Sequence, residues 1–538
     1  MKRENNKKFK LEKSKAVSHL LSTYLREQES SRRNKFLAST LQGFRSGSEK
    51  VWIKRGEDTT LELFRAMAAH VPAYKDFLKK NKINPKKIVT PGDLTKLPVT
   101  NKENYLQSYP LEALCWGGKF KDGSWMISST SGSTGQPFYF PRSHLKDKEF
   151  QMTAELAFRE YYQIHKKSTL FLDCFALGVW IGGMFMYQTV RNLMNTGDYA
   201  LSIITPGADR SETLKAIRRL APQFDQVILG GYGPLVKDLI DDGIHEGIDW
   251  NQYNMKYFFA AEGFTEGFRD YLHNYGGAKN VFTGTLNHYG TADLGTMAHE
   301  TPLSILIRSL VVQNKKMFTS VFSQAHRLPT LAQFIPELFF FEQHEGRLLC
   351  SGLGGLPLMH YDLKDRGEVV TFEEMITRCK EGGIDILREA RKEKLDTTIW
   401  KLPFVYLYER DDFTVSIYSV NIYPESIRRA LEVSRLEKSL TGKFTMSTEF
   451  NDQQNQVLQI VTELKTGVKE NATLMNHTLQ SVIATLNQEN SEWRDFYADP
   501  NIRHKVIPQI IFKAHHDEDY FKPGRKQKWI KKVKPNLV

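Results

Sequence analysis

The sequence predicts an α/β protein in two parts, a large N-terminal domain of layered sheets and helices and a small α+β C-terminal domain. Three observations carry this expectation. From Gly123 onward, strand-like runs alternate with helical ones, the signature of sheet and helix layers. After about residue 412 the alternation gives way to a shorter mixture of strands and helices. The chain has 538 residues, 41% of them hydrophobic and 12% aromatic, which is enough for a large core and too long for one ordinary domain.

Residues 1–55 are charged and basic, with Leu20, Leu21, Tyr24 and Leu25 spaced for a helix. They read as a helical N-terminal extension, followed by a large domain over 56–411 and a small domain over 412–538. An amphipathic helix is predicted from Thr59 to Lys80. The alternation then runs strand Ser124–Ser128, helix Lys146–Tyr162, strand Thr169–Phe175, helix Ser211–Leu220, strand Gln226–Leu229 and helix Tyr232–Asp241. In the small domain, strands are predicted at Phe413–Ile417, Gln456–Leu464 and Ile507–Phe512. One helix begins with Pro424 at its first position, and another covers Thr473–Asn487.

Composition narrows the function. The net charge of +12 suits nucleic acid, a membrane surface or a polyanionic small molecule. Basic residues crowd the two ends, as solvated tails do, so nucleic acid is not an expected partner. Cys115, Cys174, Cys350 and Cys379 lie far apart, without the CxxC spacing of a zinc site or the pattern of a disulfide framework. That usage fits a reducing compartment, and the expected location is the cytoplasm. The apolar stretch Leu170–Tyr187 is interrupted by Asp173, Gly178, Gly182 and Gly183, and reads as buried strand plus loop, not as a membrane span.

The strongest local signal is Ser128-Ser129-Thr130-Ser131-Gly132-Ser133-Thr134-Gly135-Gln136-Pro137, between two strand-like runs. Its glycines let successive N–H groups converge on an anion, and its hydroxyls add donors for phosphate oxygens. No Gly-Lys-Ser/Thr ends it, so it is not a Walker loop.

This loop resembles the phosphate-binding loop of the adenylate-forming superfamily, which includes acyl-CoA synthetases, nonribosomal adenylation domains and luciferases. Most members place a lysine after the motif's proline. Phe138 stands there in this chain, a departure shared with the phenylacetate-CoA ligase branch. His70-Val71-Pro72-Ala73-Tyr74 and Leu97-Pro98-Val99-Thr100-Asn101-Lys102 are similar to that branch's N-terminal signatures. Gly178-Val179-Trp180-Ile181-Gly182-Gly183 matches its GxxxGG element, which implies an acid pocket at Trp180, Gly182 and Gly183. Ala260-Ala261-Glu262-Gly263-Phe264 resembles the turn whose backbone meets adenine, here through Ala261 and Glu262.

Tyr289-Gly290-Thr291-Ala292-Asp293 falls where the superfamily writes YGxTE. The resemblance implies that Tyr289 stacks on adenine, that Gly290 and Thr291 adjoin the nucleotide, and that Asp293 holds Mg²⁺. Two departures stand out: Asp293 is one methylene shorter than the usual glutamate, and Ala292 replaces a threonine that contacts the α-phosphate. Tyr361-Asp362-Leu363-Lys364-Asp365 resembles the element that puts a carboxylate, here Asp365, on the ribose hydroxyls. Glu409-Arg410-Asp411-Asp412 leads without gaps into Asn421-Ile422-Tyr423-Pro424, which makes Arg410 a nucleotide contact and Asp412 the hinge of a mobile lid. Glu409, Phe413 and Ser419 depart from that pattern. Near the end, Pro523–Lys531 resembles the terminal loop that carries the catalytic lysine, which selects Lys528 with Lys526 as the second candidate.

The resemblance therefore implies a ligase that uses ATP and Mg²⁺ to convert a carboxylic acid, preferably aromatic, into acyl-AMP and then passes the acyl group to a thiol. Coenzyme A is the first expected acceptor; a carrier protein, a protein side chain or an amine are alternatives. The departures leave room for a weakened member that binds nucleotide, nucleic acid or protein.

Overall fold

The computed structural model describes residues 10–11, 14–129, 138–178, 181–322, 328–410, 414–521 and 530. The chain divides into two compact units. One is drawn from residues 1–128, 140–231 and 239–409, the other from 129–139, 232–238 and 410–538.

The extension from Ala16 onward contributes buried residues, among them Leu20, Leu21 and Tyr24, to the first unit. Its first helix, His19–Arg26, follows the predicted spacing and is capped by Ser18, whose hydroxyl accepts from the N–H of Leu21 at 3.0 Å. A second helix, Ser30–Ser46, buries Arg33 against Asp198, with Glu155 3.5 Å away. The Glu155 carboxylate also accepts hydrogen bonds from Tyr24 (2.5 Å) and Tyr199. The helix predicted over Thr59–Lys80 is instead two helices, Glu49–His70 and Pro72–Lys80. Proline disfavours helical geometry in the residue before it, and Val71 is extended, with φ −108° and ψ 108°.

The strands in chain order are β1 (Met126–Ser129), β2 (Tyr139–Arg142), β3 (Thr169–Asp173), β4 (Leu201–Ile204), β5 (Gln226–Gly231), β6 (Met255–Ala260), β7 (Thr285–Thr291), β8 (Gly295–His299), β9 (Thr330–Gln333), β10 (Phe339–His344), β11 (Arg347–Gly352), β12 (Leu358–Val370) and β13 (Phe404–Arg410). Eleven of them form one sheet in the order β10-β11-β12-β13-β9-β8-β7-β6-β5-β3-β4. From β7 through β6, β5 and β3 to β4 the pairing is parallel, and β7, β8 and β9 pair antiparallel. β3 and β5 are buried at every residue, as parallel strands covered on both faces must be. The chain after β3 is not simply a loop: a helix, Ile181–Met194, begins eight residues later. Gly178, at φ +89°, makes the intervening turn.

The second unit contains β14 (Val415–Ile417), β15 (Val420–Ile422), β16 (Leu440–Phe450), β17 (Gln456–Leu464) and β18 (Gln509–Lys513). β16 and β17 pair antiparallel, and β17 and β18 parallel, in a three-stranded sheet. The helices Pro424–Leu431 and Ala472–Glu489 cover it, and Ile417, Ile427, Met446, Ile460, Val482 and Trp493 form its core. Residues 232–238 are tied into this unit by polar contacts. Asp238 accepts from Lys505 and from the Tyr418 hydroxyl (3.2 Å), while Gln456 accepts from the Tyr232 hydroxyl at 3.1 Å.

Candidate active site

The parallel strands β3, β5, β6 and β7 end at Asp173, Gly231, Ala260 and Thr291, along one edge of the sheet. In open α/β sheets, ligands bind outside the carboxyl ends of the strands. Most of the sequence-predicted residues that the structure describes lie along this edge.

The turn after β6 carries Ala261 with φ +83°, a conformation that costs an alanine energy and recurs at ligand-binding turns. Buried groups fix it. The Asn287 amide donates to the Glu262 carbonyl at 2.8 Å, and Arg308 donates to the Phe264 carbonyl at 2.6 Å. Arg308 and Arg269 also engage Glu266, at 2.8 and 2.9 Å, and Arg269 binds both oxygens of Glu300 at 2.9 and 3.0 Å. Glu300 in turn accepts from the N–H of Asn287 at 3.0 Å, closing the network onto β7. Burial alone would raise the pKa of Glu266, but Arg269 and Arg308 outweigh it and hold the group ionised, below its ordinary value. Breaking such a buried arrangement by removing one partner costs roughly 3–5 kcal/mol. Sequence reading missed these four charged residues. Arg308 alone left a signal, as a lone cation in the apolar run Pro302–Val312.

One strand over, Tyr289 is 7% exposed and its hydroxyl donates to the carboxylate of Asp365, 5% exposed on β12. The structure thus joins two residues 76 positions apart that the sequence assigned to one nucleotide. Gly290 is required by space: a side chain there would meet the Gly295 carbonyl at 2.7 Å. The Thr291 hydroxyl accepts from the N–H of Leu294 at 3.2 Å, tightening the turn that presents half-buried Asp293. A side chain on Gly295 would touch Phe185, on the helix Ile181–Met194, at 3.4 Å. Gly182 and Gly183 lie in the first turn of that helix, and a side chain on Gly183 would strike the Ala176 carbonyl at 2.6 Å.

The signature around Thr100 is tied to β12, the strand that carries Asp365. Thr100 donates its N–H to the His360 carbonyl at 3.0 Å and accepts from the N–H of Asp362 at 2.8 Å, adding a bridge to β12. Lys364 pairs with Glu103 at 2.5 Å. Ser129 closes β1 and Arg410 closes β13. Downstream of the loop, at the end of β2, Arg142 is buried and donates to the Ser128 hydroxyl at 3.0 Å. Thr130, Ser131, Gly132, Ser133, Thr134, Gly135, Trp180, Asp412, Lys526 and Lys528 lie outside the described residues.

Three further groups on these strands have shifted ionisation. Burial pushes the Asp173 carboxyl up to about 7, and one of its oxygens has no hydrogen-bond partner among the described residues. His288 and His299, paired across β7 and β8, are held neutral by burial, His299 down to about 4. His288 stacks on Phe258, His299 meets Trp400 edge-on, and both belong to the core.

No family model and no curated protein matches the sequence. The fold does match solved structures. A 2-hydroxyisobutyryl-CoA ligase in complex with 2-HIB-AMP and CoA, in its thioesterification state, superposes with a TM-score of 0.57. It is 12% identical, over 90% of this chain and 89% of that one. This chain has the fold of an adenylate-forming ligase. An amide bond synthetase from Marinactinospora thermotolerans is a more distant likeness, with a TM-score of 0.41 and 11% identity over 74% of this chain and 67% of that one. No helix among the described residues is long and apolar enough to cross a membrane.

Proposed function

We propose that this protein is an ATP-dependent ligase that joins a carboxylic acid, preferably aromatic, to AMP and then transfers the acyl group to a thiol, with coenzyme A as the leading candidate. The observation that carries the reading is the Tyr289–Asp365 hydrogen bond at the carboxyl end of β7. It sets a flat ring and a carboxylate side by side, a pairing suited to a purine face and a vicinal diol. The fold shared with a CoA ligase supports the same chemistry.

In this reading the substrate carboxylate attacks the α-phosphorus of ATP. The bond to the leaving pyrophosphate breaks and acyl-AMP forms. The Tyr289 ring and Asp365 hold the nucleoside, with the Ala261–Glu262 turn at the base. The hydroxyls and N–H groups of 129–135 hold phosphate oxygens, and Lys528 stabilises charge that builds as pyrophosphate departs. Asp293 offers the hard oxygen that Mg²⁺ prefers, and the ion would neutralise phosphate charge when bound there. The lid then turns about Asp412 and withdraws Lys528. The thiol attacks the acyl carbonyl, and AMP leaves.

The test is ATP–pyrophosphate exchange across a panel of aryl, fatty, hydroxy and amino acids. Exchange stimulated by an aromatic acid supports the reading; exchange with another class alone keeps the reaction and corrects the substrate. Absence of exchange with every acid, from folded protein that binds ATP, contradicts it.

A further inference from the structure

The three-stranded sheet of the second unit gathers metal-ligating side chains at one end. Glu463, the penultimate residue of β17, is fully buried and lies opposite Lys513, where β18 ends. On its other side β16 bulges between Leu440 and Phe444, with Gly442 at φ +80°. Thr441 and Lys443, within this bulge, reach one oxygen of the carboxylate, Oε2, at 2.8 and 3.0 Å. The other oxygen, Oε1, accepts from the N–H of His516 at 2.8 Å and keeps a second lone pair.

Two histidines follow the end of β18. Along an extended chain, neighbouring side chains point to opposite faces. Here His516 turns left-handed, with φ +63°, and the rings of His515 and His516 stack with centroids 3.8 Å apart. Histidine adopts that backbone more readily than most residues. One ligating atom from each of Glu463, His515 and His516 lies within 4.8 Å of the other two. The surrounding charged groups are engaged elsewhere. One oxygen of Asp517 accepts from the N–H groups of Asp519 and Tyr520 at 3.1 and 3.0 Å, and the Lys513 ammonium sits over the Tyr520 ring at 5.1 Å.

Two imidazole nitrogens and one carboxylate oxygen are donors that zinc takes, at bond lengths of about 2.0–2.2 Å. Tetrahedral bonds of that length put ligand atoms about 3.4 Å apart, so shifts of about 1 Å in the two histidine rings close the set. Both rings reach solvent and have room to make them. No step of the proposed reaction uses these three residues.

We propose that Glu463, His515 and His516 form a zinc site on the second unit, with water completing the coordination. Glu463 binds through Oε1, while Thr441 and Lys443 hold the carboxylate in place from Oε2. The ion fastens the turn after β18 to the end of β17. Magnesium prefers sets made of oxygen and does not compete. The site is independent of the ligase reading.

The test is calorimetric titration of the full chain with zinc ion in a non-chelating buffer that contains excess Mg²⁺. Wild type should bind one zinc per chain. His515→Ala and His516→Asn each remove one imidazole from a solvent-accessible position, and asparagine tolerates the left-handed backbone at 516. Each should weaken zinc by roughly tenfold or more, and the double variant should abolish the site. Glu463→Gln, which keeps the acceptors for His516 and Thr441 but removes the charge, should also weaken it by roughly tenfold or more; circular dichroism confirms that this buried variant is folded, and the two surface variants carry the test if it is not. No zinc bound by wild type in excess Mg²⁺, or unchanged zinc affinity in any folded variant of the three, overturns the proposal.

Discussion

Replacing Tyr289 with phenylalanine isolates one hydrogen bond in the proposed nucleotide site. The ring stays, so stacking on adenine is preserved, while Asp365 loses the donor that fixes its carboxylate. A hydrogen bond to a charged group contributes about 1.5–3 kcal/mol, and each 1.4 kcal/mol is a factor of ten, so ATP affinity should fall roughly 10- to 150-fold. Contacts to the ribose act equally in ground and transition states, so the loss belongs in KM for ATP, with kcat changed by less than about threefold. The assay is initial-rate kinetics with ATP and with 2′-deoxy-ATP. Wild type should prefer ATP, and Tyr289→Phe should lose most of that preference, because a carboxylate left unaligned no longer reads the diol. An unchanged KM for ATP with a lowered melting temperature would show that the bond only holds β7 to β12, and would refute the assignment of Asp365 to the ribose.

Three other substitutions test separate parts of the account. Lys528→Ala should slow adenylation by roughly 10²–10³-fold, the usual loss of an aimed donor at developing charge, with little change in ATP affinity; if Lys526→Ala gives that loss instead, the register of the terminal loop is wrong by two residues. Asp412→Pro fixes φ near −65° and should block the lid's turn, so single-turnover kinetics should show acyl-AMP accumulating while transfer collapses; equal slowing of both steps in a folded variant argues against the hinge. Asp173→Asn concerns pH. The carboxyl is raised by burial to about 7, so the folded state is penalised once the pH exceeds the ordinary carboxylate range, and the penalty is complete above about 7. The variant should therefore be more stable than wild type at pH 8, by about 4 kcal/mol at one pKa unit per 1.36 kcal/mol, and equal to it near pH 4. Denaturant unfolding at the two pH values checks this, and an equal difference at both contradicts the raised carboxyl.

Much of the first unit was legible because its parallel strands are buried on both faces and therefore read as unbroken apolar runs, such as Leu170–Leu172 and Val227–Leu229. The antiparallel half was not read. Strands such as Phe339–His344 mix exposed and buried positions, and their identity depends on partners distant in sequence. Pro72 breaks the helix expected over Thr59–Lys80, and the apolar period that continues on both sides masks the break at Val71. In the second unit, β16 was missed because Gly442, at φ +80°, interrupts its period with a bulge before Phe444 and Met446 turn inward. At the candidate site, the order of short motifs pointed to Tyr289 and Asp365 separately. Only the fold could reveal the hydrogen bond between them, which leaves no local pattern in the chain, or the network of charges behind the Ala261 turn, of which Arg308 alone leaves a mark.

The central claim is that a carboxylate oxygen attacks the α-phosphorus of ATP. Supplying the acid with ¹⁸O in its carboxylate and completing one turnover to the thioester tests this directly. In the proposed sequence the attacking oxygen bridges carbon and phosphorus in acyl-AMP. It stays with phosphorus when the thiol displaces AMP. Mass spectrometry should therefore find one ¹⁸O in AMP and none in pyrophosphate. Unlabelled AMP, or acid-independent release of ADP and orthophosphate, would contradict the account.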